Sequence, residues 1–321
     1  QSVLPSLGLR RAAVTRRAQQ LLRSSEELRL DCGAGVTLQG FHSSPLRAGR
    51  EPRNALVVLL HGWEGSAESL YVLSLGQSLL AAGYEVVRLN LRDHGDTHHL
   101  NRELFHSCRL PEVVGALGAL QRRFAGLPAA LAGFSLGGNF MLRAAAEAPR
   151  AGLEVAQVIA VSPVLDPAST LDALEDGLPL YSRYFILKWT RSLRRKQLAW
   201  PGEYDFGPLL RGRSLRRMTE ELVLRHAGYP DLHTYLAGYA ITGERLAALT
   251  MPATIVTALD DPIIPSQDLA RLAAVPQLRV VVTRHGGHCG FVERLGARSW
   301  IDGFVLRELQ AVLAPQAERL R

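Results

Sequence analysis

Lysine is nearly missing from this chain. Of its 37 lysine and arginine residues only Lys188 and Lys196 are lysine, so the positive charge is almost wholly guanidinium. Cysteine is scarce as well. Cys32, Cys108 and Cys289 are far apart and odd in number, which rules out a closed disulfide framework and paired zinc-ligand spacing. That usage favours a reducing compartment. No apolar run approaches the ~20 residues of a membrane-spanning helix. No repeat or low-complexity tract appears, which excludes a solenoid. Aromatic residues are only 7% and do not alternate with the arginines, so no stacking platform for nucleic acid is present and no nucleic-acid partner is expected.

What is present is an ordinary globular balance, 47% hydrophobic against 21% charged, in 321 residues. That length suits one large domain, taken here as residues 1–321. The net charge of +7 points either to arginine-rich coding or to an anionic membrane surface as a peripheral partner. The expected location is the cytoplasm, with contact at the inner membrane face as a further expectation. The first residue is Gln1, so removal of a leader stays open.

Residues 10–23 read as a basic amphipathic helix. Two short strands, 28–31 and 36–39, flank a glycine-containing turn and suggest a hairpin. From Ala55 the pattern alternates: strand 55–60, helix to Ala82, strand 84–91, helix 112–125, strand 129–132, helix 138–148, strand 155–161. Continuous apolar strands separated by helices imply a mostly parallel central sheet covered on both faces, an α/β fold. The rhythm stops between about Asp166 and Leu249, then resumes with strand 253–258, a helix around 266–274, strand 278–283 and a last helix from about Glu293 to Leu313. The interruption sits where a carboxyl-edge ligand site would lie, so it reads as a helical lid inserted into the domain.

Gly133-Phe134-Ser135-Leu136-Gly137 stands between a strand and a helix. In that setting G-x-S-x-G is a nucleophile elbow, a turn tight enough to need small neighbours around a strained serine. A serine hydroxyl needs a base, and the base works best when a carboxylate orients it. The histidines after the elbow are His226, His233, His285 and His288; the first two fall in the inserted stretch. His288, near the apex of its loop, is favoured over His285 as the base. For the acid, Asp261 has the D-x-x-x-P spacing to Pro265; Asp260 reads as a turn or capping residue, and Asp166 is a third candidate. The oxyanion donors expected are the Leu136 N–H at the helix start and the Trp63 N–H in His61-Gly62-Trp63, with His61 bracing that loop. Asp93, His94, Asp96, His98 and His99 are dense enough to suggest a metal, but their spacing puts no ligand set on one face; a loop beside the pocket is preferred. No metal and no cofactor is expected.

With HGWEGS, GFSLGGN, TALDDPIIP and HGGHCGF in order, the chain resembles the α/β-hydrolases, and more narrowly their YheT-like branch, related to ABHD-type hydrolases and yeast medium-chain esterases. The similarity extends to QSVLPSL, RDHGDTHHLNRELFHS and HAGYPDLHTYL. It implies the α/β-hydrolase fold, a charge-relay set at Ser135, Asp261 and His288, and hydrolysis of carboxylic esters, with acyl transfer as a family variation. Trp63 stands where these relatives often have leucine, which alters the acyl pocket while keeping the N–H. The expected substrate is a small-molecule ester of short to medium acyl chain. The alternatives are an acyltransferase or thioesterase with the same three residues, or a ligand-binding fold without catalysis. In the inserted stretch, Tyr181, Phe185, Trp189 and Leu193 share one side of a helix, while Arg183, Arg191, Arg194, Arg195 and Lys196 lie mostly elsewhere. The apolar side is expected to cover the pocket, and the basic side to be solvated or to meet anionic headgroups.

Overall fold

The computed structural model describes residues 8–292 and 298–313. The opening QSVLPSL and the proposed start of the last helix at Glu293 lie outside the described residues. In order, the elements are α1 Gly8–Arg17, α2 Gln19–Arg23, β1 Ser25–Asp31, β2 Thr37–Ser43, β3 Leu56–Leu60, α3 Leu70–Ala81 and β4 Glu85–Leu89. Then follow α4 Leu110–Arg123, β5 Ala129–Phe134, α5 Leu136–Ala151 and β6 Gln157–Val161. The inserted stretch holds α6 Pro167–Asp176, α7 Pro179–Ala199, α8 Gly207–Leu210, α9 Leu215–Leu222 and α10 Leu232–Tyr239, and the chain closes with β7 Ala253–Ala258, β8 Leu278–Thr283 and α11 Trp300–Leu313. The helix expected around 266–274 is a 3₁₀ helix over Ser266–Arg271, two tight turns directly after Pro265.

The eight strands form one sheet in the order β1-β2-β4-β3-β5-β6-β7-β8. β1 and β2 are an antiparallel hairpin, β2 meets β4 antiparallel, and every pair from β4 onward is parallel. Strand side chains alternate in direction, so each central strand feeds two cores. Leu56, Val58 and Leu60 of β3 join the core built with α4 and α5, whereas Val57 and Leu59 join that of α1, α3 and α11. This double burial is why β3 is apolar throughout and β6 and β7 nearly so, with Gln157, Thr254 and Thr257 the polar exceptions.

The inserted helices share the first of these cores. Leu171, Trp189, Leu193, Leu215 and Leu236 pack in one cluster with the sheet residues beneath them. Parallel strands end together at the carboxyl edge, so the loops after β3, β4, β5, β7 and β8 converge there under the insertion.

Candidate active site

Ser135 links β5 to α5 with φ 53° and ψ −123°, a conformation that side-chain-bearing residues rarely adopt. Its N–H donates to the Val161 carbonyl at 2.9 Å, and its own carbonyl accepts from the Asn139 N–H at 3.1 Å. The flanking glycines are there for space. A Cβ on Gly133 would stand 2.4 Å from the Gly137 carbonyl oxygen, and one on Gly137 would stand 2.3 Å from that of His61. Gly62 also passes close, since a Cβ there would lie 3.0 Å from the Ser135 Cβ.

The loop after β8 brings His288 to this turn. Its Nε2 is 3.0 Å from Ser135 Oγ, and its Nδ1 is 3.0 Å from Asp261 Oδ2. The Asp261 side chain is fully buried, and its other oxygen accepts the N–H groups of Ile263 at 2.9 Å and Ile264 at 3.1 Å. Burial opposes a charge on the His288 imidazole, but the neighbouring Cys289 sulfur and the Asp261 carboxylate outweigh it and raise its pKa well above the ordinary histidine value.

The rival residues stand apart. Asp260 accepts the N–H groups of Gly286 at 2.8 Å and Gly287 at 2.7 Å, so it braces the loop that carries His288. His285 is exposed and 3.7 Å from Asp260. Asp166 caps α6 through the Ala168 N–H and pairs with Arg271 at 2.6 Å. His226 lies against Phe206 and Tyr204 in the insertion, and His233 is exposed on α10.

Trp63 and Leu136 border the same cavity as Ser135. Leu136 is the first residue of α5, so its N–H belongs to the unpaired first turn. In the facing loop, Gly62 donates its N–H to the Tyr71 hydroxyl at 3.0 Å. His61 is buried; its Nδ1–H donates to the Gly62 carbonyl at 2.7 Å and its Nε2 accepts the Leu91 N–H at 3.2 Å, the bracing expected of it.

Two spaces meet at Ser135. One is a largely apolar cavity of about 100 Å³ walled by Trp63, Phe105, Leu171, Phe185, Trp189 and Leu222. The other is an open cleft of about 570 Å³ that reaches both Ser135 and His288 and is lined by Glu64, Tyr184, Lys188 and Arg191. Burial pushes the Glu64 carboxyl up to about 8, the Lys188 ammonium partly opposing it.

The loop after β4 is a structural clasp. Lys196, buried on α7, donates to Asp93 Oδ1 at 2.9 Å and to the carbonyls of Asn101 at 2.5 Å and Glu103 at 3.0 Å. Lys196 therefore does not join the outer arginines with which it was grouped; at i+7 from Trp189 and i+3 from Leu193 it falls on their buried side. His94 binds the Arg92 carbonyl at 2.7 Å and His98 binds Ser192 Oγ at 2.8 Å. Among the described residues no three His, Cys, Asp or Glu side chains converge as a metal-holding group.

Sequence reasoning missed how the insertion grips the loop after β3. Phe185 stacks on the Trp63 ring at 5.2 Å, Trp189 meets it edge-on at 5.3 Å, and Lys188 Nζ donates to the Glu64 carbonyl at 2.9 Å. These partners are over a hundred positions apart, and no spacing rule links them. It also passed over the bracing by Asp260, although the adjacent Asp260-Asp261 pair was a signal that two carboxylates serve one loop.

A serine elbow, a histidine after the last strand and a carboxylate after the strand beside it, all at the carboxyl edge of a mostly parallel sheet, define the α/β-hydrolase class. The chain belongs to that family: the alpha/beta hydrolase fold model matches residues 55–295. Among its relatives is the Escherichia coli protein named "Putative esterase YheT", 28% identical over 94% of this chain and 87% of the relative. Phospholipase ABHD3 of Bos taurus is 22% identical over 80% of this chain, which spans 64% of that longer protein. The structure of the Pyrococcus furiosus esterase Pf2001 superposes with a TM-score of 0.60 at 15% identity, covering 92% of this chain and 96% of the other. The hydrolase class is thus shared by fold, family and relatives.

Proposed function

We propose that the protein is a serine esterase that cleaves carboxylic esters of short to medium acyl chain through an acyl-enzyme. The observation that carries this reading is the unbroken hydrogen-bond chain Ser135–His288–Asp261, with both links at 3.0 Å, beginning at a serine held in a strained turn. Ser135 Oγ attacks the ester carbonyl while His288 Nε2 takes its proton. Asp261, fixed by two backbone N–H groups, holds the Nδ1–H and stabilises the imidazolium. The N–H groups of Leu136 and Trp63 receive the oxyanion, a contribution of about 3–4 kcal/mol per donor in comparable sites. His288 returns its proton to the leaving alcohol, and water then repeats the sequence on the acyl-enzyme. No step calls for a cofactor.

The apolar cavity supports an acyl site of limited length, closed at its sides by Trp63, Phe185 and Trp189. The inserted helices act as its lid. Names of the relatives, esterase and phospholipase, agree with ester cleavage and leave the alcohol portion to experiment.

The deciding experiment is Ser135→Ala with p-nitrophenyl esters and a fluorophosphonate probe. Turnover should fall by roughly 10⁴-fold or more with probe labelling lost and the melting curve unchanged. Retained labelling or turnover would remove the mechanism. Adding alcohol or thiol acceptors to the same assay separates hydrolysis from acyl transfer by the products formed.

A further inference from the structure

We infer that the outer face of α7, at the mouth of the catalytic cleft, is a docking surface for an anionic lipid bilayer; that the bilayer supplies the ester is the part that rests on the esterase reading. The helix has two distinct sides. Trp189, Leu193 and Lys196 are buried against the domain. On the opposite side Leu180 (59%), Tyr184 (49%), Leu187 (53%) and Leu198 (80%) are exposed, with Leu178 (65%) just before the helix. Single exposed leucines need no explanation, but this run follows i, i+4, i+7 along one stripe beside a cleft.

Arginines complete the pattern. Arg183, Arg191, Arg194 and Arg195 are exposed on that stripe or its edges. Only Arg195 pairs with a carboxylate among the described residues, Asp96 at 3.0 Å. Leucine and tyrosine at the centre with arginine around them is the composition of a helix that lies in a headgroup layer.

The cleft opens on this same side. Leu180, Tyr184, Arg191 and Arg195 line the space that reaches Ser135 and His288, and Arg11 of α1 lies on its wall. Of the three acidic residues there, Asp93 is paired with Lys196 and burial pushes the Glu64 carboxyl up to about 8, so little negative charge opposes the arginines. A rigid protein partner on this face would cover the mouth. A fluid bilayer can contact the rim and still deliver an acyl chain through it.

The test uses the full chain with vesicles of phosphatidylglycerol mixed into phosphatidylcholine, and of phosphatidylcholine alone. Wild type should sediment with the anionic vesicles at low salt, stay in the supernatant with neutral ones, and be released by moderate salt. Arg183→Glu with Arg194→Glu, and separately Leu187→Asp, should each lower the bound fraction about tenfold, while thermal melting and turnover of a water-soluble short ester stay at wild-type values. These three residues do not line the cleft. Ser135→Ala should bind vesicles as wild type does, so a failure of docking and a failure of the esterase reading are read separately. Wild type left in solution with anionic vesicles, variants that bind like wild type, or a dimer dispersed by Leu187→Asp would each overturn the inference.

Discussion

Two adjacent aspartates and two histidines three positions apart illustrate how finely residues are divided here. Asp261 faces His288 while Asp260 faces backbone amides, and His288 is enclosed while His285 is in water. Asp261→Asn and His288→Ala should therefore each reduce kcat by several orders of magnitude. Asp260→Asn keeps an acceptor for the loop, and His285→Ala touches nothing in the site, so both should cost far less. Comparing kcat of the four purified variants checks this; a reversed order within either pair would reassign the role. The pH dependence follows from the same geometry. Only neutral His288 accepts the serine proton, and its pKa stands above the ordinary value. Hence kcat/KM should fall as pH drops through a midpoint above ~6.5, and a profile flat down to about pH 5 would argue against a histidine base.

At the scale of elements, the turn between β5 and α5 tolerates no thickening. Gly137→Ala puts a methyl group against the His61 and Leu60 carbonyls, so destabilisation of about 1–3 kcal/mol or more is expected in denaturant unfolding. The clasp between α7 and the loop after β4 makes a second prediction. Lys196→Ala leaves the buried Asp93 carboxylate and the Asn101 carbonyl without their cation, a loss of about 3–5 kcal/mol. The same change should loosen α7 from Trp63, raising KM for esters alongside the fall in melting temperature. A variant as stable as wild type would show the pair to be dispensable.

For the whole molecule, buried neutral histidines set an acid limit. Burial lowers His94 to about 4, His98 to about 3 and His106 to about 3, and holds His61 well below its ordinary value. In the unfolded chain each titrates near 6.5. Their stabilisation is complete above that value and is lost as pH falls toward the folded-state values, because the unfolded state then binds more protons. His288, raised instead of lowered, works the other way, as do the raised carboxyls of Asp93 and Asp302. In the window below 6.5 the lowered histidines, His226 with them, outnumber His288 and the raised carboxyls of Glu64, Asp93 and Asp302, five groups to four, so the melting temperature should drop between about pH 7 and pH 5. Calorimetry across that range tests the balance, and a rising melting temperature would contradict it.

The sequence by itself determined the sheet, because strands buried on both faces are predominantly apolar, as β3 is throughout and β6 and β7 are but for Gln157, Thr254 and Thr257. It also marked the elbow, since only glycine fits at 133 and 137, two positions to either side of Ser135, and it marked the loops where an acid and a base had to stand. It resolved Asp261 from Asp260 only through a proline spacing, and it set Lys196 among solvated cations. Those choices belong to the tertiary structure. Which oxygen meets Nδ1, which lysine is buried and which rings cap Trp63 depend on contacts between residues remote in the chain. Local periodicity reports which way a side chain points from its own element, but not what another element places in front of it.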